Sequence, residues 1–272
     1  MTCESVRGMM RSMRARGLLA AGLCAIVACG GVSSGGGVGL PVHADPVQAP
    51  ISRPRPPADA AAARILQLPG TLLAAPLVPS LDVHAAPGTE KPYMDLEATN
   101  PWQQQLRLLV TRDALDEDGD IWLRVQLPIW PNGQEGWVSA SEVSLSRASD
   151  RIVIDVSRRR LVRFRAGRVV ARIPVAVGKP STPTPTGRYV VWARVATGRP
   201  SGPYGSFILG LSGFSDAIQP WDWPGEPRLA IHGTDDPEDA GEAVSSGCIR
   251  VFNRLLRAID DVPMGTPVVI RA

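Results

Sequence analysis

Histidine and cysteine are scarce in this 272-residue chain, with three of the first and four of the second. One His and one Cys in a shared segment fall short of the usual zinc sets, so the acidic group Asp235, Asp236, Glu238 and Asp239 near His232 and Cys248 is not read as a metal site. Charge of one sign is not in excess either. The formal net charge is +3, but Arg7, Arg11, Arg14 and Arg16 precede the first apolar run, and without residues 1–28 the chain holds 25 basic and 25 acidic residues. A neutral body gives no electrostatic reason to bind a phosphate backbone, so nucleic acid is excluded as a natural partner. A long apolar run is also missing, because Gly17–Ala28 is too short and too glycine-rich for a comfortable membrane span. Several ligand motifs are incomplete. Asp116-x-Asp118-x-Asp120 has Ile121 where a calcium loop needs glycine and Leu127 where it needs glutamate. Gly178-Lys179-Pro180 lacks the spacing of a P-loop, and Gly210-Leu211-Ser212-Gly213 meets Phe214 where a nucleophile elbow has glycine.

What is present is a core-forming composition, 44% hydrophobic and 20% charged, which excludes wholesale disorder. Gly and Pro together make about a fifth of the residues and favour short strands with many turns. The arginines at 7–16 followed by Gly17–Ala28 have the grammar of a secretory signal. Ile26-Val27-Ala28-Cys29-Gly30 resembles a lipobox, in which Cys29 would take a lipid. The other reading is cleavage after Val42-His43-Ala44, leaving an unanchored exported chain. Under the lipobox reading only Cys29 and Cys248 survive export, and an acylated Cys29 cannot pair, so Cys248 stands as a lone thiol, either reactive or a small buried hydrophobe. Residues 29–70 are Gly/Ser-rich and then Pro/Ala-rich and read as a tether, with a helical turn or two within Ala60–Leu68.

From 71 to 146 short strand-like runs alternate with turns. Ile121, Leu123, Val125 and Leu127 repeat with period two, and Asn132-Gly133 marks a hairpin before Gly136-Trp137-Val138. The order Trp-Leu-Arg-Val, Pro-Asn-Gly, Gly-Trp-Val resembles a bacterial SH3-like barrel, which implies either wall positioning or a spacer. Residues 150–272 continue in strands: Ile152–Val156, Leu161–Phe164, Arg168–Gly178, Arg188–Ala193, Ser206–Leu211, Leu229–His232 and Pro267–Ile270. Pro180–Gly187 is a stiff loop, since its prolines cannot donate to a ladder. One short helix is expected near Asn253–Asp260, capped by Asn253. The fold class is therefore mainly β.

The chemistry concentrates in Ile231-His232-Gly233-Thr234 and Ser245-Ser246-Gly247-Cys248-Ile249-Arg250. A thiol is mostly protonated near neutral pH and needs a nearby base to act as a nucleophile. His43 lies in the tether and His84 in the approach to the first strands, so His232, at the end of an apolar strand, is the base in the same segment as Cys248. Backbone N–H groups around Gly247 and Cys248 are candidate donors for a tetrahedral oxyanion.

His-Gly-Thr followed by Ser-x-Gly-Cys-Ile-Arg resembles the signature of the L,D-transpeptidases, the YkuD family, and the likeness extends to Pro174–Gly178, Thr182–Gly187 and Val262–Ile270. It implies a β-sandwich or barrel with Cys248 as acyl-accepting nucleophile and His232 as general base. Gly233 would orient that base through its backbone, and Gly247 would lie in the oxyanion region. Ser245, Ser246, Thr234 and Arg250 would shape the substrate site, with Arg250 meeting a carboxylate. The implied reaction joins peptidoglycan stem peptides in a 3→3 crosslink through a thioester, with no cofactor and no metal, and such thiols react with carbapenems. Ser246 departs from the pattern, since many members have histidine there, which implies altered site electrostatics and retained activity. Two other readings stay open: an L,D-carboxypeptidase with water as acceptor, and a non-catalytic wall-binding protein that relies on the SH3-like part. Trp221-Asp222-Trp223-Pro224 is either a substrate lip or a packed aromatic corner.

Overall fold

The computed structural model describes residues 62, 66, 70–217 and 226–272. The signal-like segment, Cys29, nearly all of the tether and Trp221–Pro224 lie outside them. Of the helical segment expected within Ala60–Leu68, Ala62 and Leu66 are described, both helical and both packed on the core of the first strands.

Seven strands come first: β1 (Leu72–Pro76), β2 (Ser80–Val83), β3 (Met94–Glu97), β4 (Leu108–Leu115), β5 (Ile121–Gln126), β6 (Glu135–Ser139) and β7 (Val143–Arg147). Five of them form a sheet in the order β6-β5-β4-β1-β7, and β2 pairs with β3. The period-two pattern of β5 puts Leu123 and Val125 in the interior with Leu81, Leu108 and Val138, while Arg124 stays outside. Asp116 serves the β4–β5 turn: its carboxylate accepts from the Asp118 and Asp120 N–H groups and from Trp122 Nε1, at 3.1, 2.8 and 2.7 Å. β5 and β6 form the expected antiparallel pair, but residues 127–134 make a longer connection than a two-residue hairpin.

The second group comprises β8 (Asp150–Asp155), β9 (Arg160–Arg165), β10 (Arg168–Pro174), β11 (Val177–Gly178), β12 (Gly187–Ala196), β13 (Phe207–Phe214), β14 (Arg228–Thr234), β15 (Ala243–Ser245), β16 (Ile249–Phe252) and β17 (Pro267–Arg271). Eight of these make one sheet, ordered β10-β9-β8-β17-β12-β13-β14-β16, and β11 pairs in parallel with β15. Its interior is aliphatic, built on Ile152, Ile154, Leu161, Leu209, Leu211, Leu229, Ile231, Ile249 and Val268. The mainly β class follows directly. The short helix occupies Asn253–Ile259 as a 3-10 turn preceded by Phe252, with no side-chain cap. Asn253 is not the cap because its amide reaches across to donate to the Gly202 carbonyl at 2.9 Å.

The two sheets meet along a seam with an apolar floor and polar edges. Trp192 and Ala193 of β12 join the core of the first sheet, with Trp102 edge-on to Trp192 at 5.9 Å. Asn100 Nδ2 donates to the Trp192 carbonyl at 2.9 Å. The Gln104 amide donates to the Arg194 carbonyl at 2.7 Å and accepts from the Arg194 N–H at 2.9 Å. A primary amide can satisfy a strand residue in both directions, so these side chains extend the ladder of β12 across the seam.

Candidate active site

β14 and β16 are parallel neighbours with Ile231 beside Ile249 and His232 beside Arg250. Alternation sends Ile231, Ile249 and Val251 into the core, and so gives His232 and Arg250 the opposite face. Cys248 stands one residue before β16 and is half-buried. Continued by one step, the register places it beside Ala230, diagonal to His232 on the same face, with Cα atoms about 8 Å apart at ordinary strand spacing and rise. A diagonal of that length is within reach of an aromatic side chain such as an imidazole.

The turn that presents Cys248 is fixed from inside. Ser245 Oγ donates to the Cys248 carbonyl at 2.6 Å and accepts from the Gly247 N–H at 3.1 Å. Gly247 has φ +116°, a conformation that side-chain-bearing residues rarely adopt. The stiff loop at 180–187 buttresses the same turn. Buried Thr184 donates from Oγ1 to the Gly247 carbonyl at 2.8 Å while accepting from the Gly178 N–H at 2.8 Å, and Thr182 Oγ1 and the Lys179 N–H both reach the Ser245 carbonyl.

His232 is 7% exposed. Its Nδ1 lies 2.7 Å from the Gly233 carbonyl, an atom that can only accept, so Nδ1 carries the hydrogen and Nε2 keeps the lone pair. Burial, together with the nearby Arg250 charge, outweighs the Gly233 hydrogen bond and Asp239, and pushes the imidazole down to about 4. At neutral pH the ring is uncharged. Tyr204 packs on it with ring centroids 4.9 Å apart, and the Tyr204 carbonyl accepts from the Gly233 N–H at 2.8 Å. This approach needs glycine at 233: a Cβ there would meet Asn253 Oδ1 and stand 2.6 Å from the Gly205 Cα.

The structure therefore gathers Cys248, His232, Gly233, Ser246 and Arg250 at one sheet margin, with Ser246 exposed. Three further residues that the resemblance implied are bonded within the fold around this margin. Thr234 is buried and donates to Asp239 Oδ2 at 2.6 Å, and Ser245 is buried with its hydroxyl engaged in the turn. The Gly247 N–H donates to Ser245 Oγ at 3.1 Å, and its glycine permits the positive φ of the turn. Arg250 Nη1 pairs with Asp239 at 3.2 Å, yet its side chain remains 35% exposed. Tyr204, Thr184, Gly205 and Asp239 were not singled out for roles at this site from sequence, because their parts depend on contacts across distant loops.

The profile of the YkuD L,D-transpeptidase catalytic domain matches residues 149–270. The YkuD protein of Bacillus licheniformis is 38% identical over 121 residues, which cover 44% of this chain and 64% of that protein. The YkuD protein of Bacillus subtilis is 35% identical over 167 residues, covering 59% of this chain and 93% of the relative. The chain belongs to the YkuD family. A solved catalytic domain of an Enterococcus faecium L,D-transpeptidase aligns over 44% of this chain and 95% of its own, with 23% identity and a TM-score of 0.34. Ser246, immediately before the Gly-Cys pair, is exposed.

Proposed function

We propose that the chain is a peptidoglycan L,D-transpeptidase that works through a thioester on Cys248 and forms 3→3 crosslinks. The observation that carries this reading is the buried, uncharged His232, locked into one tautomer by Gly233, on the strand paired with the one that Cys248 leads into. An imidazole held near 4 does not keep a standing imidazolium beside the thiol at neutral pH. It acts as a general base during attack, taking the thiol proton on Nε2 as sulfur bonds to the carbonyl carbon after the L-centre of meso-diaminopimelate in a stem peptide. The imidazolium then returns this proton to the D-alanine nitrogen as the peptide C–N bond breaks, leaving the thioester. An amine from a neighbouring stem attacks next, gives its proton to His232 and releases the thiol, so the energy of the broken amide is carried into the new one.

Arg250, anchored on one side by Asp239, presents its outer face to a substrate carboxylate. The signal-like N-terminus supports an extracytoplasmic site of action, with Cys29 as the lipid attachment point, and the first sheet serves as an SH3-like wall-positioning module. Intact-mass measurement after exposure to meropenem tests the thiol: one covalent adduct on the wild type and none on Cys248→Ala is expected, and folded wild type without an adduct rejects the reading. Muropeptide products decide the acceptor, with a 3→3 dimer expected and a shortened stem alone pointing to hydrolysis.

A further inference from the structure

The connection at 127–134 leaves the first sheet and grips the catalytic sheet at two strands. On β13, Asn132 Nδ2 donates to the Phe214 carbonyl at 2.9 Å while Oδ1 accepts from the Phe214 N–H at 2.8 Å, and Nδ2 also lies 3.2 Å from Asp216 Oδ1. On β14, Arg228 donates to the Pro128 carbonyl at 3.0 Å, and its guanidinium lies over the Phe214 ring at 4.4 Å. The register of β13 against β14 shifts between Gly210 and Phe214, pairing resumes at Phe214 with Arg228, and the Ser215 N–H donates to the Pro227 carbonyl at 2.7 Å. The Asn132 amide supplies both backbone bonds that a strand would have supplied.

The next residue is Ser215. It is 3% exposed, and its Oγ is buried with no hydrogen-bond partner among the described residues. It stands against the nucleophile turn: a Cβ built on Gly247 would lie 3.2 Å from Ser215 Oγ and 3.7 Å from Ser215 Cβ.

We propose that Asn132 is a positioning residue for the reaction at Cys248, setting the nucleophile turn from the first sheet through Phe214 and Ser215. The inference rests on the thioester reading above. Ser215 forms the wall behind Gly247, held on one side by its N–H bond to the Pro227 carbonyl and on the other by Phe214, which Asn132 grips through both backbone groups. Freeing Phe214 gives the turn room to move, and attack geometry is sensitive to displacements of an ångström.

The experiment follows acylation of the full chain by meropenem with time, by intact mass, in wild type, Asn132→Ala and Ser215→Ala. A positioning role lowers the rate constant, by about tenfold for Asn132→Ala, while the amplitude stays at one acyl group per chain. A purely structural role lowers the amplitude and leaves the rate constant of the remaining folded molecules at the wild-type value. A wild-type rate constant in Asn132→Ala overturns the proposal. Should Asn132→Ala fail to fold, Ser215→Ala decides: slower acylation at an equal or higher Tm supports the wall, and unchanged acylation overturns it. Wild type that takes no acyl group instead removes the thioester reading itself, a result separate from either variant's.

Discussion

The buried imidazole of His232, the proposed general base, makes stability depend on pH. Its ordinary value of 6.5 is pushed down to about 4 in the folded chain, mainly by burial, so the unfolded chain takes up a proton first as the solution is acidified. The stability that His232 contributes is complete above about pH 6.5 and is lost progressively toward pH 4, by at most about 3 kcal/mol. The urea midpoint of the wild type should therefore fall more steeply between those values than that of His232→Gln, and parallel denaturation curves at several pH values check this. The same residue shows what sequence could reveal. His232 and Cys248 stand out in sequence because the pool of bases is small and because His-Gly-Thr and Ser-x-Gly-Cys-Ile-Arg resemble the YkuD signature. The bonds of Thr234 to Asp239 and of Ser245 within the turn were not legible, because a hydroxyl in a motif looks the same in sequence whether it faces a cleft or bonds a neighbour.

At the scale of elements, Cys248, the proposed nucleophile, is carried by a turn whose support comes from a loop about sixty residues upstream. Pro180–Gly187 was legible as stiff, since its prolines bar it from a ladder, but not as the support for 245–248. Thr184 makes that link through one hydroxyl that both accepts from Gly178 and donates to Gly247. Thr184→Val keeps the shape and deletes both bonds, leaving buried backbone groups unmatched. A loss of about 1–3 kcal/mol in chemical denaturation is expected, together with a slower reaction of Cys248 with meropenem. Gly233→Ala acts on the other side of the site. Its methyl group would push against Gly205 and lift Tyr204 from the His232 ring, so hydrogen exchange should rise across residues 197–206. Unchanged exchange there would mean that the loop does not depend on the close approach of the two glycines.

For the whole molecule, the two sheets are coupled by more than a linker. Composition and periodicity separated a tether, a first β segment and a second one, but which faces dock is a property of contacts 80 to 100 residues apart, such as Asn100 with Trp192 and Gln104 with Arg194. Trp192 is 8% exposed because the first sheet covers it, and Val190 is buried with Leu73 and Leu109. A chain cut to residues 149–272 would return this apolar strip to water. It should therefore unfold at lower denaturant than the full chain and bind a hydrophobic dye. The intact protein should unfold in a single transition, with intrinsic fluorescence and far-UV circular dichroism coinciding. Gln104→Ala tests the seam without exposing the strip. It leaves the Arg194 N–H and carbonyl unmatched and should lower stability by about 1–3 kcal/mol, still in one transition if the sheets act as one cooperative unit. Two separated transitions in the variant would show that the sheets fold independently, and the route from Asn132 to Cys248 would then cross a boundary that opens on its own.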